Sequence, residues 1–223
     1  MSGGAVSVES SSSSLLAPAA ALPGWFGKLP GMGDFAHRRL PEAFRAVWDQ
    51  WLQRGMSRLR DRADWTERYL EAPIWCFALG RQVAGEQAWI GVLMPSVDGV
   101  GRYFPFAIAV ELSANSPGTL RGEALAAALE WWAHATQAAL EGLDGDLDAV
   151  RFDAVLQRLF LADVVASSSV GREGVVESLE LPVAGASLWL SDPSVESGIR
   201  MLSTGLPRDE QFEALFLGFA EEG

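Results

Sequence analysis

Apolar positions along this chain alternate between a helical and a strand-like period, and each change of period marks an element. After Pro41 the hydrophobic residues fall at Phe44, Val47, Trp48, Trp51 and Leu52. That i, i+3, i+4, i+7, i+8 spacing puts them on one face of an amphipathic helix, with Pro at its start and Gly55 as its stop. Asp64 with Glu67 three residues later resembles a capping box and opens a short turn of helix through Leu70. Three short apolar runs come next, Pro73 to Leu79, Ala88 to Met94 and Phe104 to Leu112, bounded by Gly, Pro and Asp. Short joins between them favour antiparallel neighbours. Both faces of these strands are apolar in places, so each side of the sheet needs a cover.

The helical period returns after Thr119, a suitable N-cap, with Leu125, Leu129, Trp132, Thr136 and Leu140 on one face until Gly142. A second helix is predicted over Leu147 to Leu161, with Phe152, Leu156, Leu159 and Phe160 inward. Beyond a serine stretch near Ser167 follow strands at Ser187 to Leu190 and Ile199 to Ser203. A last helix starts near Asp209 and carries Phe212, Leu215 and Phe216. Trp25 and Phe26 open the folded region as a short first strand. This order predicts an α/β fold, most simply a three-layer α/β/α sandwich with a mixed, antiparallel-rich sheet.

Composition sharpens the picture. The chain has 223 residues, 49% of them apolar, with nine Trp and eleven Phe. Each fully buried aromatic or aliphatic side chain contributes roughly 1.5–3 kcal/mol, so the core needs neither metal nor disulfide. Residues 1–23 include five consecutive serines and few bulky side chains, which predicts a disordered tail before one domain spanning 24–223. The first 24 residues hold no Lys or Arg, and Pro18 and Pro23 break their longest apolar stretch. Neither an export signal nor a membrane anchor is expected there. A lone Cys76 suits a reducing compartment, and a cytoplasmic location is the expectation.

Net charge is −12, from 29 acidic and 17 basic residues. Such a field repels nucleic acid and anionic membranes. Basic residues cluster at Arg38 and Arg39 and again from Arg54 to Arg68, but Asp61, Asp64 and Glu67 interrupt the second group. It reads as a solvated mixed-charge face.

Motifs with reactive chemistry fail on spacing. In GKLPGMGDF (Gly27 to Phe35) the lysine follows the first Gly, whereas a phosphate loop needs Lys-Ser or Lys-Thr after the last one. In DGVGRYFP (Asp98 to Pro105), Phe104 stands where a dinucleotide fingerprint has its third Gly, and a strand follows instead of a helix. Turns requiring positive φ explain both stretches better. Asp144, Asp146 and Asp148 alternate as in a calcium loop, but Ala149 and Val155 occupy the positions of its Gly and Glu. An acidic cap on the following helix fits better. The two histidines, His37 and His134, join no nucleophile or metal motif, and Cys76 reads as a buried, inert thiol.

Three segments together resemble the TagF/ImpM family of type VI secretion accessory proteins. The first is GWFGKLPGMGDF with RRLP and FRAVWDQWL (Gly24 to Leu52). The second is YLEAPIWCFAL with GVLMPSVDGVGRYFPFAIA (Tyr69 to Ala109). The third is SLWL (Ser187 to Leu190) with GLPRDEQFEALFLG (Gly205 to Gly218). Met32 departs from the pattern where a basic residue is usual, as does Gly99 where a larger polar residue is usual. The resemblance implies a three-layer α/β/α fold and a cytoplasmic, post-translational repressor of type VI secretion. The implied partner is the system's forkhead-associated core protein. No catalytic residue, cofactor, metal or small-molecule substrate is expected, and no nucleic acid or membrane insertion.

Residues matching the motifs are Lys28, Asp34, Asp98 and Arg102, with Phe35 and Tyr103 beside them. Two readings stay open: they pair with each other and fix the surrounding turns, or they form a recognition surface. Two other functions compete with the repressor: a structural accessory of the secretion machine, and a hydrolase on a phosphorylated partner built from Asp34, Asp98 and His37.

Overall fold

The computed structural model describes residues 15–17, 22–161 and 176–218. Nine strands and five helices follow one another in them: β1 (Gly24–Gly27), β2 (Ala36–Arg38), α1 (Glu42–Leu59), α2 (Trp65–Glu71), β3 (Trp75–Leu79), β4 (Trp89–Met94), β5 (Phe106–Glu111), β6 (Thr119–Arg121), α3 (Gly122–Asp144), α4 (Ala149–Leu161), β7 (Ser178–Glu180), β8 (Ala186–Leu190), β9 (Arg200–Thr204) and α5 (Glu210–Leu217). Seven strands form one sheet in the order β2-β1-β5-β4-β3-β8-β9, and β6 and β7 pair as a separate ribbon. The expected sheet was mixed and antiparallel-rich. Every pairing among the named strands is antiparallel: short joins link β1 to β2, β3 to β4, β4 to β5 and β8 to β9, whereas β1·β5, β3·β8 and β6·β7 pair across long stretches of chain.

Successive strand residues point to opposite faces, and the core divides accordingly. Trp25, Cys76, Ile90, Val92, Phe106, Ile108 and Leu188 share one apolar cluster with Trp132 of α3 and Phe152 and Leu156 of α4. Phe26, Trp75, Phe77, Leu93, Ala107 and Trp189 share the other with Trp48 and Leu52 of α1, Tyr69 of α2 and Phe212 and Phe216 of α5. This is an α/β molecule with a large antiparallel sheet and an apolar cluster on each of its faces. Among the described residues no helix is long and apolar enough to cross a membrane.

Tryptophan N–H groups tie elements together. Trp132 Nε1 donates to the Gly91 carbonyl at 3.0 Å, joining α3 to the sheet. Trp51 Nε1 donates to Pro207 O at 2.6 Å and Trp75 Nε1 to Leu215 O at 2.7 Å, fastening the C-terminal region over the second face.

Several predicted boundaries move. α1 runs through Gly55 to Leu59, and the glycine serves packing instead, since a Cβ there would overlap the Phe212 ring. That glycine is a seat for α5, not a stop. Asp64 precedes α2 but makes no side-chain capping bond, so the capping box is absent. Thr119 lies in β6, and α3 begins three residues later at Gly122 and passes Gly142 to end at Asp144. The acidic cap on α4 holds at one residue. Asp148 Oδ1 accepts from the amides of Val150 and Arg151, both at 2.9 Å.

Most of the expected tail, residues 1–23, and the serines near Ser167 lie outside the described residues. Within that tail, Leu15 is buried. Its carbonyl accepts from Ser113 N at 2.9 Å, and Ala17 N donates to Glu111 O at 3.1 Å. This short stretch therefore lies along the end of β5.

Candidate functional site

Two loops leave the same end of the sheet because β1 and β5 are antiparallel partners, with Phe26 opposite Ala107. One loop runs from Lys28 to Phe35 between β1 and β2. The other joins β4 to β5 and narrows to a tip between Asp98 and Arg102. Gly27 sits at their junction with φ 133°, a conformation that L side chains rarely adopt. A Cβ there would collide with Pro105 O and lie 2.9 Å from Phe106 Cα.

Asp98 is the hub of the tip. Its backbone N–H donates to Arg102 O at 3.1 Å and its carbonyl accepts from Gly101 N at 2.9 Å. Gly101 provides the positive φ of 82° that this turn requires. Asp98 Oδ1 accepts from Val100 N at 3.1 Å and Arg102 N at 2.9 Å. Asp98 Oδ2 accepts from Lys28 Nζ and from Arg102 Nε, both at 2.7 Å. Arg102 also donates to the Gly33 carbonyl, and so pins the first loop to the second.

This arrangement is buried where charge is usually not. Lys28 is 4% exposed and Asp98 3%. Burial alone would raise the Asp98 carboxyl pKa. Lys28 outweighs it, with the Arg102 amide, the Arg102 guanidinium and the Val100 amide, and the group titrates well below the usual carboxylate range. Asp98 is thus an ionised anchor with its oxygens occupied.

Further bonds support the pair from beneath. Ser96 Oγ donates to Lys28 O at 2.8 Å. The Tyr69 hydroxyl donates to Ser96 O at 3.2 Å and accepts from Ser96 N at 3.0 Å. Lys28 Nζ lies 4.9 Å from the Phe35 ring centroid, within cation–π range. Phe35 stands edge-on to Phe104 at 4.6 Å. Gly99 packs against the first loop, since a Cβ there would fall 2.7 Å from Pro30 O. A larger residue at this position would require Pro30 to move.

Of the six residues singled out in the sequence, Lys28, Phe35, Asp98 and Arg102 meet directly. Tyr103 sits beside them, 5.4 Å from Trp65 and 5.9 Å from Tyr69 in edge-to-face contacts. Asp34 stays at the surface and accepts the Phe35 amide at 2.8 Å. His37 lies on β2 with Nε2 2.8 Å from Arg45 Nη1. Asp34, Asp98 and His37 do not come together as a metal-ligating group.

Above the ion pair opens a cleft of about 600 Å³, walled by Phe35, Trp65, Arg102 and Tyr103, with Met56 and Phe104 buried behind them and Arg60 at its edge. Trp65 and Arg60 were missed as site residues. The only signal for Arg60 was its place in the basic run, and no local pattern says which arginine of that run faces the cleft.

The TagF N-terminal domain, described as type VI secretion system-associated, matches residues 24–159. The crystal structure of PA0076 from Pseudomonas aeruginosa superposes with a TM-score of 0.68 at 29% identity, covering 89% of this chain and 96% of that one. No curated protein sequence matches the chain. The matched span holds both loops, the buried Lys28–Asp98 pair and most of the sheet, and with it the chain belongs to the TagF family of type VI secretion-associated proteins.

Proposed function

We propose that this protein is a cytoplasmic, non-enzymatic repressor of type VI secretion that acts after translation by binding the system's forkhead-associated core protein. The observation that carries this reading is the TagF match over residues 24–159. The site's chemistry supports it. The matched charged residues spend their hydrogen bonds on one another and on two loops, while aromatic and basic groups remain at the surface as contact material. The same reading takes the fold as three layers, with α1, α2 and α5 on one side of the sheet and α3 and α4 on the other.

Repression by sequestration follows mass action: the partner is withdrawn from assembly in proportion to regulator concentration over Kd. The test is genetic and has a sign. Deleting the gene is expected to raise effector export, and overexpression to lower it, with the forkhead-associated protein recovered on the tagged chain. Export lost on deletion would identify a structural accessory instead.

A further inference from the structure

We infer that the cleft above the Lys28–Asp98 pair takes an acidic, aromatic-bearing segment of a protein partner. This rests on the binding reading above only for the partner's nature; the cleft is argued from its own groups. Its charged lining residues are Lys28, Arg60 and Arg102, all basic, on a chain of net charge −12. One carboxylate, Asp98, serves both Lys28 and Arg102, so that trio keeps a positive surplus.

Arg60 adds a second. Three other arginines of that run are occupied: Arg58 pairs with Glu213 at 2.9 Å, Arg62 pairs with the same carboxylate, and Arg68 lies 3.8 Å from Asp64. The exposed Arg60 guanidinium has no ion pair or hydrogen bond among the described residues, nor does the Tyr103 hydroxyl or the Trp65 indole N–H. Residues with unfilled donors therefore line a cavity with aromatic walls, and the matching ligand is rich in acceptors and carries an apolar side chain. Phe35, 47% exposed, is the open face on which that side chain would lie.

The donors do not suit a compact phosphate. Such a dianion is held by several converging donors, backbone N–H groups or arginine forks; here the amides of Val100 and Arg102 are spent on Asp98 Oδ1, and the side chains of Lys28 and Arg102 are committed to Asp98 Oδ2, with Arg102 also on the Gly33 carbonyl. What remains is side-chain donors from separate elements, Arg60 after α1, Trp65 on α2 and Tyr103 between β4 and β5, lining one cleft of about 600 Å³, and an extended peptide can meet them one side chain at a time.

The test is an NMR titration of the ¹⁵N-labelled full chain with a blocked pentapeptide, Glu-Glu-Phe-Glu-Glu, and its Lys-Lys-Phe-Lys-Lys counterpart. The acidic peptide is expected to shift the amides of Gly101, Arg102 and Tyr103 and the Trp65 indole, and to weaken as salt screens the contact. Arg60→Glu is expected to cost about tenfold in affinity with an unchanged melting temperature, and Arg60→Lys to restore most of it. Phe35→Ser gives an independent loss through the aromatic wall. Equal binding of the lysine peptide, shifts elsewhere, no shifts, or displacement by inorganic phosphate or by oligothymidine would overturn the inference. A chain that binds the peptide but leaves export unchanged at any dose keeps the cleft and loses the repressor reading. One that represses export but ignores the peptide does the reverse.

Discussion

Asp98 accepts four hydrogen bonds, two from backbone amides of its own turn and two from cationic side chains. Removing one partner of a buried pair costs more than the pair contributes, because the survivor stays desolvated. Asp98→Ala, which strands Lys28 in the core, is expected to lose roughly 3–5 kcal/mol in chemical denaturation. A second carboxylate makes a pH prediction. Asp153 on α4 is partly desolvated, which alone would raise it. Arg39, Trp25 and Arg38 overcome this and bring it to about 2. A folded-state value below the unfolded one means stability is full above the unfolded value, near 3.8, and is lost as pH falls through the folded value. Asp153→Asn is therefore expected to flatten the acid limb of the stability–pH curve between about pH 4 and pH 2. Cys76 runs the other way: burial pushes its thiol up to about 12, only partly offset by a hydrogen bond with Thr136. Expected behaviour is no reaction with a thiol reagent at pH 8 in the native protein and full reaction in denaturant. Rapid native labelling would contradict the buried thiol that the sequence predicts.

Helix α1 shows how an element can obey its pattern and still be misread at its end. Phe44, Trp48, Trp51, Leu52 and Met56 lie on one buried face as their spacing demands. Gly55, by local rules a stop, sits inside the helix under the ring of Phe212. Ala at a helix interior gains about 1 kcal/mol over Gly in propensity. Overpacking here costs about 1–3 kcal/mol, because Phe212 is 1% exposed and held by Trp51 and Phe216 at ring-centroid distances of 5.3 Å each. Gly55→Ala is expected to lower the melting temperature despite the better propensity; a rise would show that α5 yields easily. The same reasoning explains Thr119. Its hydroxyl suits an N-cap, but Leu120 pairs with Leu179 across the ribbon, a partner 59 residues away that no local pattern reveals. β2 was missed for a related reason. Ala36–Arg38 has no apolar alternation and is a strand because Trp25 and Phe26 of β1 offer it an edge.

At the scale of the whole molecule, each central strand feeds both apolar clusters, so neither face can loosen alone. Leu52→Ala on one face and Leu156→Ala on the other are each expected to cost about 2–5 kcal/mol. Both should shift a single transition that coincides by tryptophan fluorescence and far-UV circular dichroism. Two separated transitions would show that the faces melt independently. Much of this architecture was legible beforehand, because hydrophobic period, glycine and proline placement and aromatic content act over a few residues. The sequence by itself determined the helices and strands of the core, the apolar character of both sheet faces, the buried thiol and the absence of any spaced catalytic motif, and its long ordered motifs carried the family. Only tertiary structure decided that every pairing among the named strands runs antiparallel, that Asp98 pairs with Lys28 and Arg102 while Asp34 does not join them, and that Arg60 lines the same cleft as Trp65, Tyr103 and Phe35. Lys28 and Asp98 are 70 residues apart, and their pairing is set by which strand ends share an edge of the sheet, a long-range property that no local spacing encodes.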